Sequence, residues 1–116
     1  MIKVCILDYG SGNVMSVQNL IQHLKIKSIV SNKNSDIKNS THIILPGVGA
    51  FGESIKKLKK KIDIKYLEKE ILVKKKPFLG ICVGMQLLAD TGEEFGKHKG
   101  LGWIKGQVVK LKSKIL

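Results

Sequence analysis

Arginine is absent from this 116-residue chain, because all 21 of its basic residues are lysine, and aromatic residues make up only 5% of the sequence. Proteins that read bases or phosphates depend heavily on arginine's planar guanidinium group and on aromatic stacking partners. The net charge of +12 therefore does not by itself indicate a nucleic-acid partner. We interpret the lysine-rich segment 56–61 as the solvated face of a helix.

Long hydrophobic runs are also absent. The longest apolar stretches, such as 4–7 and 43–45, have the length of strands, and none approaches the ~20 residues that span a bilayer. The first residues lead directly into a strand pattern, so no signal peptide is expected. Only two cysteines occur, Cys5 and Cys82, which favours reduced thiols over a disulfide framework. We therefore expect a cytoplasmic chain without a membrane partner.

The motifs for metals and nucleotides are incomplete. The three histidines are His23, His42 and His98. None of them has a cysteine or histidine partner at ligand spacing, so we predict no metal site and interpret all three as structural or solvated. Glu53 stands where a Walker A loop needs its phosphate-binding lysine. Met15 replaces the third glycine of a dinucleotide fingerprint. The sequence therefore predicts no cofactor.

Strand-like and helix-like segments alternate along the chain, which is typical of an α/β domain with a parallel sheet. The predicted strands are 2–7, 28–30, 42–45 and 78–81. The predicted helices begin at Val14 and cover 53–61, 63–74 and 83–89, with a polar connection at 31–40. After residue 100 the pattern changes, and 101–104 with 107–111 predicts a β-hairpin that turns at residues 105–106.

The predicted helices each have an apolar face. In the first helix, which Asn13 is expected to cap, this face consists of Val14, Val17, Leu20, Ile21 and Leu24. In the next two it consists of Ile55, Leu58, Ile62, Ile64, Leu67, Ile71 and Leu72. These residues are the expected contribution of the helices to the core.

The strongest chemical motif is the pentapeptide GICVG at 80–84, between a predicted strand and a predicted helix. It is the thiol form of the G-x-S-x-G nucleophile elbow, whose glycines permit a sharp turn that exposes the nucleophile. A helix N-terminus favours the thiolate, and the N–H of Val83 would point at a developing oxyanion. We therefore predict that Cys82 is a nucleophile, whereas Cys5 is a small core residue within a strand.

A second glycine-rich segment, PGVG at 46–49, directly follows the third predicted strand. Loops at the carboxyl ends of strands are where open α/β sheets bind ligands. This loop could supply a second N–H to the oxyanion, that of Val48 or Gly49. Alone the segment is a weak signal, since any tight turn after a strand uses glycine, but it gains weight beside the pentapeptide.

Four segments carry a family resemblance: DYGSGN at 8–13, LPGVGAFG at 45–52, PFLGICVGMQLL at 77–88 and GLGW at 100–103. In them the chain resembles the glutaminase (HisH-type) subunits of imidazole glycerol phosphate synthases, which are class I glutamine amidotransferases of histidine biosynthesis. The resemblance implies an open, mostly parallel, flavodoxin-like α/β sheet with flanking helices, incomplete at its C-terminus. Residues 1–116 would be the N-terminal part of a single domain.

The resemblance also implies a chemistry. Cys82 attacks the side-chain amide of glutamine, forms a glutamyl thioester and releases ammonia, which passes to a (β/α)₈-barrel cyclase subunit in a heterodimer. The implied oxyanion donors are the N–H groups of Val48, Gly49 and Val83. The implied glutamine pocket consists of Gly49, Gly52, Gln86 and Glu94. The implied contacts with the cyclase are Tyr9, Ser11, Gly12 and Asn13.

The chain departs from the family pattern in its length. Members of the family are nearly twice as long and carry their general base in a His-Pro-Glu element of the second half, whereas no His-x-Glu occurs here. A general base contributes about 10²–10⁴-fold to such a reaction, so we expect little turnover from these residues alone. Two alternatives stay open: a related subunit that feeds ammonia to another synthase, for example for the amidation of a surface sugar, and an inactive remnant or scaffold.

Overall fold

The computed structural model describes residues 1–112, which form two sheets with helices packed around the larger one. The strands are β1 (Lys3–Leu7), β2 (Lys27–Ser31), β3 (His42–Leu45), β4 (Phe78–Gly80), β5 (Ala89–Glu93), β6 (Lys97–Lys99) and β7 (Ile104–Val108). The helices are α1 (Val14–His23), α2 (Asn34–Asn39), α3 (Phe51–Lys61), α4 (Ile64–Glu68) and α5 (Val83–Gln86). A π-helical turn (Lys69–Val73) continues α4.

The larger sheet has the strand order β2-β1-β3-β4, and all of its strand pairs are parallel. This confirms the predicted α/β class, and the order matches the beginning of the flavodoxin-like order 2-1-3-4-5. The central strand β1 is apolar and buried on both faces, as parallel strands covered by helices usually are. Cys5 lies in its middle with no exposed surface, which confirms it as a core residue.

The two faces of this sheet pack against different helices. On one face, sheet residues such as Leu7 and Leu45 pack with Ile37 of α2, Leu58 of α3 and Leu67 of α4 in a single apolar cluster. On the other face a smaller cluster joins Val4, Ile6 and Ile44 to Ile21 of α1. The larger core therefore lies beneath three helices and the smaller one beneath a single helix.

The predicted hairpin at 101–111 is wrong. Residues 104–108 form one strand, β7, which runs parallel to β5, and the antiparallel pair of the second sheet is β5–β6. Between β5 and β6, Phe95 and Gly96 both have positive φ angles, which the tight reversal of the chain requires. The N–H of Gly106 is held instead by the carboxylate of Asp90, at 3.1 Å. A hairpin across 105–106 would give up this contact.

Four smaller predictions also need correction. The polar connection 31–40 contains α2, because Ile37 is fully buried against the main core. The helix predicted at 83–89 ends at Gln86, since Ala89 already pairs in β5. The apolar residues Leu20, Leu24 and Leu72 are exposed. Asn13 occupies the position before α1, but its side chain makes no capping bond there.

A buried ion cluster connects the π-helical turn to α2. The Glu70 carboxylate lies 3.2 Å from the ammonium of Lys74 and 3.3 Å from that of Lys76, and only 2% of its side chain is exposed. Lys76 Nζ also donates to the carbonyl of Ile37 at 2.7 Å and that of Lys38 at 3.1 Å. Burial favours protonation of the carboxyl, but the hydrogen bonds and charges of the two lysines outweigh it and hold the pKa of Glu70 below its ordinary value.

The Lys76→Met variant should be less stable than the wild type by about 1–3 kcal/mol, because it removes a charged donor from a buried carboxylate and from two carbonyls. Thermal or urea unfolding followed by circular dichroism measures this difference. Lys75→Met is the matched control, since it removes the same charge from the exposed neighbouring side chain. Equal stability of the two variants would show that the cluster does not hold α2 in place.

Candidate active site

Cys82 sits at the turn between β4 and α5 with its side chain exposed. Its backbone has φ 56° and ψ −123°, in the left-handed half of the map, which costs a non-glycine residue about 1–3 kcal/mol and persists only where the surroundings enforce it. The strand–turn–helix setting predicted for the pentapeptide 80–84, called the elbow below, is therefore confirmed.

Two glycines of the elbow allow the backbone contacts that enforce this turn. A Cβ on Gly84 would overlap the carbonyl of Leu45 at the end of β3, and a Cβ on Gly80 would lie 2.8 Å from Cα of Met85. The carbonyl of Cys82 accepts from the N–H groups of Met85 and Gln86, at 3.0 and 3.1 Å. Side chains at either glycine would push the turn apart.

Val83 is the first residue of α5, so its N–H group has no acceptor within the helix. The side chain of Val83 is buried in the main core, which fixes the direction of this N–H group. The predicted oxyanion donor after the nucleophile is thus a free and rigidly held group, next in sequence to the exposed thiol.

The glycine loop 46–49 packs directly against the elbow. A Cβ on Gly47 would lie 2.7 Å from the backbone nitrogen of Gly84 and 3.2 Å from Cβ of Val83. The N–H of Ile81 donates to the carbonyl of Leu45 at 2.9 Å, which extends the β3–β4 pairing up to Cys82. The two motifs are separate in the sequence, and the structure brings them into contact.

The two candidate oxyanion donors of the glycine loop, the N–H groups of Val48 and Gly49, differ in their surroundings. The N–H of Val48 donates to Ser11 Oγ at 3.1 Å, whereas Gly49 has a φ of 106° and open space around the position of a Cβ. Ser11 is almost fully buried and also bonds Asn13 Oδ1 at 3.1 Å. The hydroxyl of Ser11 therefore occupies the N–H of Val48 in this conformation.

The side chain of Tyr9 connects the loop 8–13 to the glycine loop. Its ring is buried and its hydroxyl donates to the carbonyl of Pro46 at 2.5 Å. Burial raises the pKa of Tyr9, and a hydrogen bond with Ser11 opposes the shift. Of the four residues predicted to face a partner, Tyr9 and Ser11 thus lie inside, Gly12 is exposed and Asn13 is half-buried.

Gln86 and Glu94 line a cleft of about 460 Å³ between the start of α3 and the second sheet. Its full lining consists of Phe51, Gln86, Glu93, Glu94, Phe95, Val108, Val109 and Lys110. Glu94 also borders an adjoining cleft of about 410 Å³ that includes Gly52 and His98. Three of the four predicted pocket residues therefore gather around two adjoining clefts, and neither lining includes Gly49 or Cys82.

Glu94 is held at the N-terminus of α3, where its Oε1 accepts from the N–H of Phe51 at 2.9 Å. A carboxylate is favoured there by the unpaired N–H groups and the helix dipole. Gly52 is closely covered by His98, whose ring atoms would lie 2.6–2.8 Å from a Cβ. A side chain at Gly52 would displace this ring from the cleft.

Phe51 is a residue of this site that was not predicted from the sequence. Its ring is buried in the main core, it packs against Gly92 of β5, and its N–H fixes Glu94. Phe51 therefore links the glycine-loop end of α3 to the second sheet. The available signal was an aromatic residue directly before Gly52 at the start of a helix, which by itself does not distinguish a core residue from a pocket residue.

Within residues 1–112, no three His, Cys, Asp or Glu side chains are grouped in a way that could hold a metal ion. None of the helices in this part of the chain combines the length and the apolar character needed to cross a membrane.

Residues 5–115 match the model of the family described as glutamine amidotransferase class-I. Among solved structures, one of a glutamine amidotransferase superposes with a TM-score of 0.73 at 18% identity, over 91% of this chain and 55% of that one. A putative peptidase E protein from Listeria monocytogenes gives a TM-score of 0.64 at 14% identity, over 77% and 50%. These two likenesses establish the fold alone.

Curated relatives named imidazole glycerol phosphate synthase subunit HisH are closer in sequence. That of Zymomonas mobilis is 50% identical over 94% of this chain and 53% of its own length. That of Vibrio vulnificus (HisH 2) is 48% identical over 91% and 50%, and that of Sulfurimonas denitrificans 44% over 91% and 51%. The chain spans about half the length of the curated relatives it matches. It belongs to the class I glutamine amidotransferase family.

Proposed function

We propose that this chain is the N-terminal part of a single glutaminase domain that supplies ammonia to a cyclase barrel subunit of imidazole glycerol phosphate synthase, in the cytoplasm. The observation that carries the proposal is the exposed Cys82 at a left-handed elbow packed against the glycine loop. The names of the curated relatives favour this synthase over a surface-sugar amidation enzyme.

The reaction proceeds in two steps at Cys82. The thiolate attacks the side-chain amide carbon of glutamine, and the tetrahedral intermediate collapses to a thioester as the amide nitrogen takes a proton and leaves as ammonia. Water then hydrolyses the thioester to glutamate and restores the thiol. A general base must deprotonate the thiol and protonate the leaving nitrogen, and it comes from the part of the domain outside these residues.

The oxyanion of the intermediate needs donors about 3 Å away that are already aligned. The N–H of Val83 meets this condition because the helix leaves it free and the buried Val83 side chain holds it. A second donor comes from the glycine loop, where the N–H of Val48 is available only after it leaves Ser11 Oγ. The N–H of Gly49 can reorient, because this residue is exposed and its positive φ is unstrained for glycine.

The α-amino group of glutamine needs an anionic partner, and its side-chain amide needs a polar partner. Glu94 keeps one carboxylate oxygen on the N–H of Phe51, and the other can accept from an ammonium group. Gln86 lies one turn of helix after Cys82 and lines the same cleft as Glu94. We assign the glutamine site to Gln86, Glu94, Gly49 and Gly52.

We assign the contact with the cyclase subunit to the loop 8–13. Gly12 and Asn13 present its surface, whereas Tyr9 and Ser11 reach from that loop to Pro46 and Val48. A partner that pressed on Gly12 would therefore act on the glycine loop through two side-chain hydrogen bonds. This arrangement supports a heterodimer in which the loop 8–13 meets the partner.

An electrophile that mimics glutamine should label this chain at Cys82 alone. Cys82→Ala should abolish the label, whereas Cys5→Ala should retain it, because burial, helped by the Asp36 carboxylate, raises the pKa of the Cys5 thiol to about 11 and keeps it protonated and inaccessible. Intact mass spectrometry measures both. A label that survived Cys82→Ala would contradict the assignment of the nucleophile.

Ser11→Ala should raise the rate of this labelling about 2- to 10-fold, because the lost hydrogen bond is worth about 0.5–1.5 kcal/mol and its loss frees the N–H of Val48 for the carbonyl oxygen of the electrophile. The second-order labelling rate of Cys82 is the measurement. Ser16→Ala, on the exposed surface of α1, is the control. An unchanged rate would exclude Val48 as the donor and leave Gly49.

The synthase assignment needs a complete domain. Joined through Leu116 to the second half of the Zymomonas mobilis relative, the chain should hydrolyse glutamine and, with a cyclase subunit, form imidazole glycerol phosphate from glutamine. Fusions with Cys82→Ala should use only free ammonia. If the wild-type fusion hydrolysed glutamine but no cyclase subunit used the ammonia for ring formation, the chain would belong to another synthase. If the fusion did not hydrolyse glutamine at all, the chain would be an inactive remnant.

A further inference from the structure

The side chain of His98 faces the start of α3 from the second sheet. It is half-buried, whereas those of its neighbours Lys97 and Lys99 in β6 are exposed. His98 pairs with Gly92 of β5, and residues directly opposite each other in an antiparallel pair lie on the same face of the sheet. On that face the ring of Phe51 packs so closely against Gly92 that a Cβ there would lie 2.5 Å from it. His98 and Phe51 therefore meet at the N-terminus of α3.

The imidazole of His98 rests on the backbone of Gly52, the second residue of α3. Its Cε1, Nε2 and Nδ1 atoms would lie 2.6–2.8 Å from a Cβ at this position, so the missing side chain of Gly52 is what permits the contact. The ring borders the cleft of about 410 Å³, whose lining also includes the charged residues Glu53, Lys56 and Glu94. The imidazole is therefore seated between the helix and the cleft.

A hydrogen bond joins the same imidazole to the turn between β5 and β6. Nε2 of His98 lies 3.3 Å from the carbonyl oxygen of Phe95, and because a carbonyl only accepts, Nε2 carries the proton and donates. Phe95 has a φ of 53° and a side chain that is 90% exposed, so burial of its ring does not stabilise this conformation. A strained residue persists only where its surroundings enforce the strain, and the bond from His98 is one such constraint.

The turn that His98 holds includes Glu94, the residue assigned to the α-ammonium group of glutamine. Glu94 directly precedes Phe95, and its Oε1 accepts from the N–H of Phe51 at 2.9 Å. This bond fixes one end of the side chain, but it does not fix the backbone from which the side chain extends. The imidazole supplies that second constraint, because it bonds the carbonyl of Phe95 and rests on Gly52 in the first turn of α3.

We propose that His98 is a positioning residue of the glutamine site. Its imidazole holds the turn 94–96 against the start of α3, and it thereby directs the free carboxylate oxygen of Glu94 at the α-ammonium group of glutamine. The inference rests on the proposed function, which assigns this ammonium group to Glu94. Neither cleft lining includes Cys82, so loss of the imidazole should weaken the binding of glutamine and leave the attack of the thiolate unchanged.

The test compares two electrophiles that alkylate Cys82 in this chain. One is the chloroketone analogue of glutamine, in which a chloromethyl group replaces the amino group of the side-chain amide. The other is chloroacetone, which has the same reactive group and no amino-acid portion. With either reagent the thiolate forms a carbon–sulfur bond and chloride leaves. Intact mass spectrometry at several concentrations gives the apparent dissociation constant and maximal rate for the analogue, and the second-order rate for chloroacetone.

In His98→Ala the apparent dissociation constant of the analogue should rise about 2- to 10-fold, which is the effect of losing one ordinary hydrogen bond. The maximal rate of the analogue and the rate of chloroacetone should not change. His98→Gln should restore most of the affinity, because its amide nitrogen can take the place of Nε2 as the donor. Lys99→Ala, at an exposed position of the same strand, is the matched control and should bind like the wild type.

Three outcomes of this comparison would overturn the proposal. If His98→Ala slowed chloroacetone as much as it weakened the analogue, the imidazole would support the elbow and not the recognition of the amino acid. If His98→Gln bound as weakly as His98→Ala, the hydrogen bond to Phe95 would not be the cause. If Lys99→Ala had the same effect, the result would reflect any change in β6.

Glutamine hydrolysis by the fusion joined through Leu116 provides a second readout on a complete domain. His98→Ala should raise KM about 2- to 10-fold and leave kcat unchanged, as expected for a lost binding interaction. Combined with Glu94→Ala it should cause no further loss, because His98 acts through Glu94. A further loss as large as that of the single His98 variant would show that the two residues act independently, and would also overturn the proposal.

Two further variants separate the role of His98 from the proposed function. A label that survived Cys82→Ala, or an analogue that bound Glu94→Ala as tightly as the wild type, would contradict the proposed site and the role of His98 with it. A label that depends on Cys82 and Glu94, but that His98→Ala leaves unchanged, would overturn the role of His98 alone.

Discussion

The site depends on one backbone contact, between Gly84 in the elbow and the carbonyl of Leu45 at the end of β3. Only glycine leaves room for this contact, and Gly47 also packs closely against the backbone nitrogen of Gly84. The contact packs the elbow closely against the glycine loop, and Cys82 adopts a left-handed φ of 56° within it. The exposed position of the Cys82 thiol and the free N–H of Val83 beside it are therefore consequences of strand packing.

This contact also explains why three loops meet at the site. The parallel pairing of β3 with β4 brings Leu45 beside Gly80, so the chain leaves both strands at one side of the sheet. β1 ends at the same side, and its loop 8–13 reaches the glycine loop through Tyr9 and Ser11. Because Ser11 accepts from the N–H of Val48, the loop that is exposed at Gly12 is also connected to the glycine loop. A change on that surface can therefore alter the hydrogen bond between the N–H of Val48 and Ser11 Oγ without any movement of Cys82.

The elements that were predicted correctly are those whose local sequence pattern agrees with the tertiary structure. The parallel strands, α3 and the elbow follow from apolar runs bounded by glycine and proline, and β1 and β3 were predicted nearly to the residue.

The predictions were wrong where the burial of a residue depends on an element that is distant in the sequence. Ile37 is a single apolar residue in a polar segment and becomes core only because α4 packs beside it. The strands β5 and β6 are polar and carry no alternation, so their pairing is visible only in the structure. Leu20, Leu24 and Leu79 fit an apolar pattern, yet they are exposed because no element in the described part of the chain covers them. Phe51 and Glu94 could not be paired from the sequence, since they lie 43 positions apart and meet only through a backbone N–H.

The uneven burial of the larger sheet bears on the strained residue. Within residues 1–112, β4 is three residues long, pairs on one side only and ends two residues before Cys82. A strained backbone conformation persists only while its surroundings are more stable than the strain they impose, and an edge strand is among the first parts of a sheet to open. A strand on the outer edge of β4 would raise the cost of opening it, and would thereby hold Cys82 in the elbow conformation.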